Sequence, residues 1–290
     1  MRSLIVGTSG QLATELHRQA DGLQLQPAQK VDVADERALR ALLDEARPEL
    51  VINASAYTAV DRAEQERDRA FAVNADGPRY LARWCAANRA ALIHVSTDYV
   101  FNGAKASAYV EDDAVEPLNV YGESKLAGEV AIREELAQHL ILRTSWVFSA
   151  HGQNFVKTMR RLAGERDELR VIADQHGRPT SAADLAGAVW RLTRERLLGG
   201  APMTWGTYHL ANADPTTWHG FAEAIVELEQ RRTSRRPVVH AIPGTEYPTP
   251  AKRPANSVLD TSRFEATFGF GLRPFRVALG DVMDELNKDK

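Results

Sequence analysis

Tyr121 and Lys125 stand four residues apart in the run Tyr121-Gly122-Glu123-Ser124-Lys125, so a helix through this segment puts both on one face. A phenol, with an ordinary pKa near ~10, exchanges protons poorly at neutrality. A neighbouring ammonium favours its phenolate form and lowers that barrier. Any helix can contain such a pair by chance, so a second signal is needed. Ser96-Thr97-Asp98 supplies one, directly after the apolar run ALIHV. Thr97 there can donate a hydrogen bond to a substrate carbonyl or its developing oxyanion, although in isolation it could equally cap local backbone. His94, inside the same run, is assigned to the strand and given a structural role.

The third signal is a glycine turn, Gly7-Thr8-Ser9-Gly10-Gln11-Leu12-Ala13, after a first short apolar strand. Gly7 permits the tight turn, and Gly10 lets the backbone approach a pyrophosphate. The amides opening the next helix then receive negative charge. Ala13 takes the third small position, where close helix–sheet packing matters more than backbone freedom. Glycine turn, Thr97 and Tyr121/Lys125 occur in the order and contexts that one nicotinamide site requires. Lys125 would then also hold the nicotinamide ribose. The adenosine side is less defined. The second strand ends in LQPAQK without an acid before Asp32-Val33, so Lys30 could favour a 2'-phosphate, or Asp32 could approach adenine or ribose. A solvated loop lysine explains Lys30 equally, and the balance tips only slightly to NADPH over NADH.

These residues need a frame. Short apolar runs at 3–6, 23–27, 51–55, 91–96 and 139–146 alternate with helical patterns at 11–20, 35–46, 68–88 and 119–137, the third with an interruption expected near Gly77-Pro78. That alternation predicts an α/β fold, a Rossmann-type doubly wound parallel sheet with both faces covered. Its functional loops lie at the carboxyl ends of the strands. The second half is less regular. It offers helices at 153–166, 184–195, 217–231 and 275–287 and strands at 169–172, 207–210 and 238–242. It reads as a smaller, mixed α/β substrate-binding region. We therefore expect a dinucleotide-binding part over 1–148 and a substrate-binding part over 149–290, some segments returning to the first. The loop PGTEYPTPAKRPAN at 243–256 suits packing over a site, with Tyr247 its aromatic contact.

Composition narrows the partners. The 290 residues are 44% hydrophobic with a net charge of −3, enough for a substantial core and no footprint for nucleic acid. RRTSRR at 231–236 reads as a surface helix end. The single cysteine, Cys85, cannot form an internal disulfide and reads as a small buried hydrophobe. No run approaches the ~18 apolar residues of a membrane span. MRSLIVGTSG passes straight into strand and turn, so a cytoplasmic protein is expected.

At this point the chain resembles the dTDP-4-dehydrorhamnose reductases, extended short-chain dehydrogenases/reductases, over nearly its whole length. The matching stretches are GTSGQL, VINASAYTAVDRAE, VNADGP, HVSTDYVFNG, PLNVYGESKLAGE, ILRTSWVF, NFVKTMRRLA, DQHGRPTSAADLA and YPTPAKRPANS. The resemblance implies reduction of the C4 ketone of dTDP-4-dehydro-6-deoxy-L-mannose to dTDP-L-rhamnose with NADPH or NADH. It implies Thr97, Tyr121 and Lys125 as the catalytic set. Its cofactor contacts map to Gly10, Gln11, Leu12, Asp32, Val33, Ala56, Tyr57 and Thr58. Thr97 and Asp98 would touch substrate, Trp146 would line the sugar or nucleotide pocket, and Val60, Asp61 and Glu64 would lie near the sugar. Arg253 could meet the diphosphate as a bidentate donor. Plainer readings stand beside these: a core aromatic for Trp146, helix-start acids for Asp61 and Glu64, a loop salt bridge for Arg253.

Some relatives bind magnesium at a dimer interface through three glutamates. Glu15 and Glu285 match, but Ala183 stands where the third is expected, with Asp184 as a conceivable substitute. A magnesium-bridged homodimer is therefore doubtful, and a metal-free dimer or a monomer stays open. Other readings are a ketoreductase for another nucleotide-linked deoxysugar and a non-catalytic, cofactor-binding regulatory subunit. Related dehydratases carry Thr-Asp-Glu where this chain has Thr97-Asp98-Tyr99, which disfavours dehydration.

Overall fold

The structure is a computed structural model that describes residues 1–20, 22, 24–26, 30–233 and 235–288. In chain order the first half comprises β1 (Arg2–Val6), α1 (Gln11–Arg18), β2 (Gln24–Leu25), α2 (Glu36–Ala46), β3 (Leu50–Asn53), α3 (Val60–Ala63), α4 (Arg67–Phe71), α5 (Gly77–Asn88), β4 (Ala91–Thr97), α6 (Val120–Glu135), β5 (His139–Thr144) and β6 (Val147–Phe148). The second half adds α7 (Phe155–Glu165), β7 (Glu168–Ile172), β8 (His176–Gly177), β9 (Thr180–Ser181), α8 (Ala182–Leu192), β10 (Gly206–His209), β11 (Thr216–Thr217), α9 (Trp218–Thr233), β12 (Val238–Ile242), α10 (Ser262–Phe268) and α11 (Phe275–Lys288).

Six strands form one parallel sheet in the order β10-β5-β4-β3-β1-β2. The order reverses direction at β1, between β3 and β2, which opens a crevice at the carboxyl ends of the strands. Alternate residues of each strand serve opposite faces. Ile5, Ile52, Ile93, Leu140 and Leu142 pack with α1, α8 and α10 on one side. Leu4, Val6, Val51, Leu92 and Ile141 pack with α2, α5 and α6 on the other. Burial on both faces explains why these strands read as unbroken apolar runs. Ala13 is fully buried in the first cluster, where a larger side chain would push α1 off the sheet. β10 and α8, both from the second half, join this Rossmann-type layer; α7, α9 and α11 pack around Phe148, Phe221 and Phe275 in a smaller mixed α/β region.

The interruption expected near Gly77-Pro78 takes the form of a π-helical turn rather than a break. Residues Ala72–Asp76 form a π-helical turn that runs directly into α5, with Pro78 in its first turn, where no backbone N–H is needed. The bulge has a use. It presses the Asn74 carbonyl against α6 at Gly128, where a Cβ would lie 2.1 Å from that oxygen. The Asn74 side chain then bonds the Tyr57 backbone at both N (2.8 Å) and O (3.0 Å), and the Ser124 hydroxyl at 3.0 Å. One amide thus ties the loop after β3 to the helix carrying Tyr121. α10 was not foreseen; its two phenylalanines, Phe264 and Phe268, are buried against Tyr208. RRTSRR begins in the last turn of α9, where Arg231 and Arg232 pair with Glu227 and Glu229. Cys85 is buried, and burial pushes its thiol up to about 12, which keeps it protonated. No described helix is long and apolar enough to cross a membrane.

Candidate active site

A crevice of about 560 Å³ lies at the strand ends. Gly7, at φ +121°, makes the turn out of β1, and an added Cβ would meet the Ala54 and Ser55 backbone at 3.2 Å. Gly10 precedes α1 with open space above it and no side chain capping the helix. The first-turn amides are therefore free to take an anion. This turn fits a dinucleotide pyrophosphate. Gln11 does more than present its amide. Its Oε1 accepts from Ser149 Oγ at 3.0 Å and from Asn154 Nδ2 at 2.9 Å, bracing the turn against the second region.

β4 ends at Thr97, and α6 begins just after Asn119, whose side chain accepts from Gly122 N at 2.8 Å. The one-turn spacing places Tyr121 and Lys125 in the same crevice as Thr97 and Asp98. Gly10, Gln11, Leu12, Ala56, Thr58, Val60 and Trp146 also line it. Tyr121 packs edge-on against Tyr99, with ring centroids 5.7 Å apart. Desolvation pushes its phenol up to about 12, opposed by a hydrogen bond with Thr97. Burial brings the Lys125 ammonium down to about 8. Lys125 shares this face with Tyr121, as the spacing suggested, but makes its own contacts with β4. Nζ donates to the Val95 carbonyl at 2.7 Å and stands 3.2 Å from His94 Nε2. Four residues on a helix fix which face two side chains share, while the strand beneath decides what the longer one reaches. Burial also raises the Asp98 carboxyl to about 7, against hydrogen bonds from Ser257 and Thr97.

Other expected residues lie outside the crevice lining. Asp61 and Arg253 are paired with each other, Nη1 to Oδ1 at 3.1 Å and Nη2 to Oδ2 at 2.9 Å. Arg253 also bonds Tyr99, so this pair buttresses the ring behind Tyr121. Glu64 accepts from Val120 N at 2.9 Å and caps the start of α6. Asp32 accepts from Arg69 at 2.9 Å and from its own turn at Ala34 N, and Val33 is core. Tyr57 donates to Glu66 at 2.6 Å. Tyr247 is 60% exposed and covers nothing in the crevice. Its loop clamps instead, through the Lys252 carbonyl on Asn119 and Pro254 against Gly103.

The aromatic wall was half foreseen. Trp146, at φ 49°, stacks on Trp218 with ring centroids 3.7 Å apart, and Phe155 leans on Trp218 at 4.7 Å. Trp218 opens a helix 72 positions along the chain, and no local pattern links it to Trp146. Glu15, Glu285 and His151 also converge, with donor atoms within 4.8 Å of one another. Arg18 Nη1 already sits among them, 2.6 Å from Glu285, 2.7 Å from His151 and 3.2 Å from Glu15. Asp184 is not a substitute ligand there, because Arg273 and Asn212 hold its carboxylate.

Comparison with known proteins agrees with this architecture. The family described as RmlD substrate binding domain matches residues 1–288. A dTDP-4-dehydrorhamnose reductase of Sinorhizobium fredii is 44% identical over 276 residues, covering 94% of this chain and 93% of the relative. One from Escherichia coli K12 is 41% identical over 99% of this chain and 98% of its own. Among solved structures, a dTDP-4-dehydrorhamnose reductase of Clostridium acetobutylicum superposes with a TM-score of 0.91 at 36% identity, covering 99% of this chain and 100% of the other. That of Bacillus anthracis, in complex with NADP, gives 0.89 at 33% identity, covering 98% and 99%.

Proposed function

The chain belongs to the dTDP-4-dehydrorhamnose reductase family, and from that premise we propose how its own residues reduce the C4 ketone of dTDP-4-dehydro-6-deoxy-L-mannose to dTDP-L-rhamnose. The observation that carries the residue roles is the meeting of Thr97, Tyr121 and Lys125 with the uncapped glycine turn in one crevice. A reduced nicotinamide, when bound, supplies hydride to the carbonyl carbon. Gly7, Gly10, Gln11 and Leu12 hold the pyrophosphate at the start of α1, and Ala56, Tyr57 and Thr58 shape the loop beside it. Lys125, anchored on the Val95 carbonyl, keeps a further N–H for a ribose hydroxyl.

Tyr121 gives its phenolic proton to the oxygen left at the sugar carbon. A phenol held near 12 stays protonated at neutrality, and an alkoxide is a stronger base than a phenolate, so the transfer runs downhill. Thr97 Oγ1, which donates to Asp98 at 3.1 Å, turns to the developing oxyanion. Val60 and the Trp146 face bound the sugar. Asp61, Glu64 and Arg253 act one step back, holding Tyr99 and α6 in place. For the cofactor's adenosine end, Arg69 is already paired with Asp32 at 2.9 Å, and Lys30, two positions before that acid, supports a slight preference for NADPH.

We assign no role to magnesium. The ion takes oxygen donors in octahedral geometry, whereas here a guanidinium fills the space between the two glutamates and an imidazole stands as the third donor. Residues 1–148 are taken as the main cofactor-binding part and 149–290 as the substrate part. A homodimer, if it forms, is expected to persist in chelator, which light scattering with and without EDTA tests. The decisive assay mixes the protein with enzymatically prepared 4-keto dTDP-sugar and either reduced cofactor. Cofactor oxidation with dTDP-L-rhamnose as product is expected. Binding without oxidation would overturn the reading in favour of a regulatory subunit, and a different sugar product would reassign the substrate.

A further inference from the structure

Beneath Lys125 lies a chain of buried polar groups. Nζ stands 3.2 Å from Nε2 of His94, itself fully buried, and on the far side of the ring Nδ1 is 3.0 Å from the Asn53 side-chain nitrogen. Which ring nitrogen carries the proton follows from the next bond along. The Ser55 backbone amide, which can only donate, points at Asn53 Oδ1 at 3.1 Å, and the Ser55 hydroxyl donates to the same oxygen at 2.7 Å. Turning the Asn53 amide round would set an NH₂ group against the Ser55 N–H. Asn53 therefore offers N–H to His94 Nδ1, and Nδ1 must accept. A neutral imidazole then carries its proton on Nε2, facing the lysine.

We propose that Asn53 and His94 are positioning residues that act on Lys125 through a fixed imidazole tautomer, whose Nε2–H faces Nζ and so favours the amine over the ammonium. The proposal rests on the catalytic reading of Lys125; neither residue of the pair is placed against substrate. An amine nitrogen can accept Nε2–H and still donate to the Val95 carbonyl, whereas an ammonium would meet a ring N–H head-on. The pair thus eases the loss of the lysine proton and lowers the upper pH limit at which an ammonium survives in the site.

The surroundings leave His94 little freedom to escape this role by charging. Burial first, and then the positive Lys125, hold its proton affinity well below the ordinary histidine range. For Lys125, burial dominates and Glu129, one turn along α6, opposes it. Glu129 is itself held by Arg143 of β5 (2.7 Å), Arg133 of α6 (3.1 Å) and Ser96 of β4 (2.6 Å). At the crevice mouth the other titratable neighbours are Tyr121, Tyr99 and Asp98. His94 is thus the titratable group of β4 that touches the amine, beside the Val95 carbonyl.

The test reads the tautomer directly. In protein labelled with ¹⁵N-histidine and free of substrate, the signal that His94→Gln removes should report a neutral ring protonated on Nε2. It should hold through about pH 5 to 8, where an ordinary histidine titrates. Asn53→Asp, which accepts at both oxygens, should move that proton to Nδ1. With saturating NADPH, the basic limb of the kcat profile should rise by about one pH unit in Asn53→Asp and in His94→Gln, whose amide oxygen can accept from the ammonium. A wild-type ring protonated on Nδ1 overturns the proposal, and so does a basic limb that stays put when the tautomer changes. If Asn53→Asp does not fold, the wild-type tautomer and the His94→Gln profile decide. The nitrogen signals need no turnover, so a chain inactive on the dTDP-sugar would sink the functional reading while leaving the tautomer legible.

Discussion

Gly122, between Tyr121 and Lys125 of α6, is where the structure predicts a large effect from a single methyl group. A Cβ built there would lie 2.2 Å from the Tyr99 carbonyl oxygen and 2.9 Å from Pro117 Cβ. Close carbon–oxygen contacts settle at about 3.3 Å, so α6 must retreat by roughly 1 Å from the Asp98–Val100 turn. That backbone is not the far end of a flexible side chain, and Tyr99 is held by Arg253 and Asp61. Overpacking of this kind costs about 1–3 kcal/mol. The displacement also carries Tyr121 away from Thr97, and a misplacement of about 1 Å can cost on the order of 10²-fold in rate. Gly122→Ala should therefore lose about a hundredfold in kcat and shift its urea midpoint downward. Gly280→Ala is the control. Gly280 lies inside α11 with open space where its Cβ would go, so alanine there should stabilise by about 0.5–1 kcal/mol with kcat unchanged. If Gly122→Ala kept kcat within about threefold of the parent and an unaltered midpoint, the positioning argument for α6 would fail.

Three further outcomes follow from the same geometry. Tyr121→Phe keeps the ring against Tyr99 and removes only the hydroxyl, so kcat should fall by about 10²–10⁴ with the cofactor Kd unchanged; near-parental turnover would refute its role as proton donor. Trp218→Ala removes the stacking partner of Trp146 (3.7 Å); a stacked pair is worth about 0.5–1.5 kcal/mol, which predicts a roughly 2- to 12-fold rise in KM and a smaller change in kcat, and the reverse pattern would count against the wall. Asp98 is raised from 3.8 to about 7 in the folded chain. Its proton therefore favours folding below about pH 4, and that contribution is lost as pH climbs through about 7. The difference in unfolding free energy between wild type and Asp98→Asn should decline over that interval and level off above it, and a pH-independent difference would be inconsistent with a buried, titrating carboxyl.

The parallel sheet, the glycine turn and the Thr97/Tyr121/Lys125 set were legible in the sequence because each rests on a local period. Strands buried on both faces read as apolar runs, a helix brings residues four apart together, and Gly7 answers a backbone need that no neighbour can change. The burial of Cys85 and the small residue at Ala13 were legible for the same reason. What the tertiary structure alone decided is where long polar side chains end. Asp61 and Arg253 are separated by 192 positions and meet as a pair. Glu64 caps α6, and Trp218 backs Trp146. Arg18, on the same helix as Glu15, meets Glu285 of α11 and His151 of the loop before α7. The contact between Lys125 and His94 belongs to this second kind. Residue type and spacing set the face from which the lysine side chain departs, but its partner is whatever the neighbouring strand has buried within reach, and that depends on strand order, which no local pattern encodes.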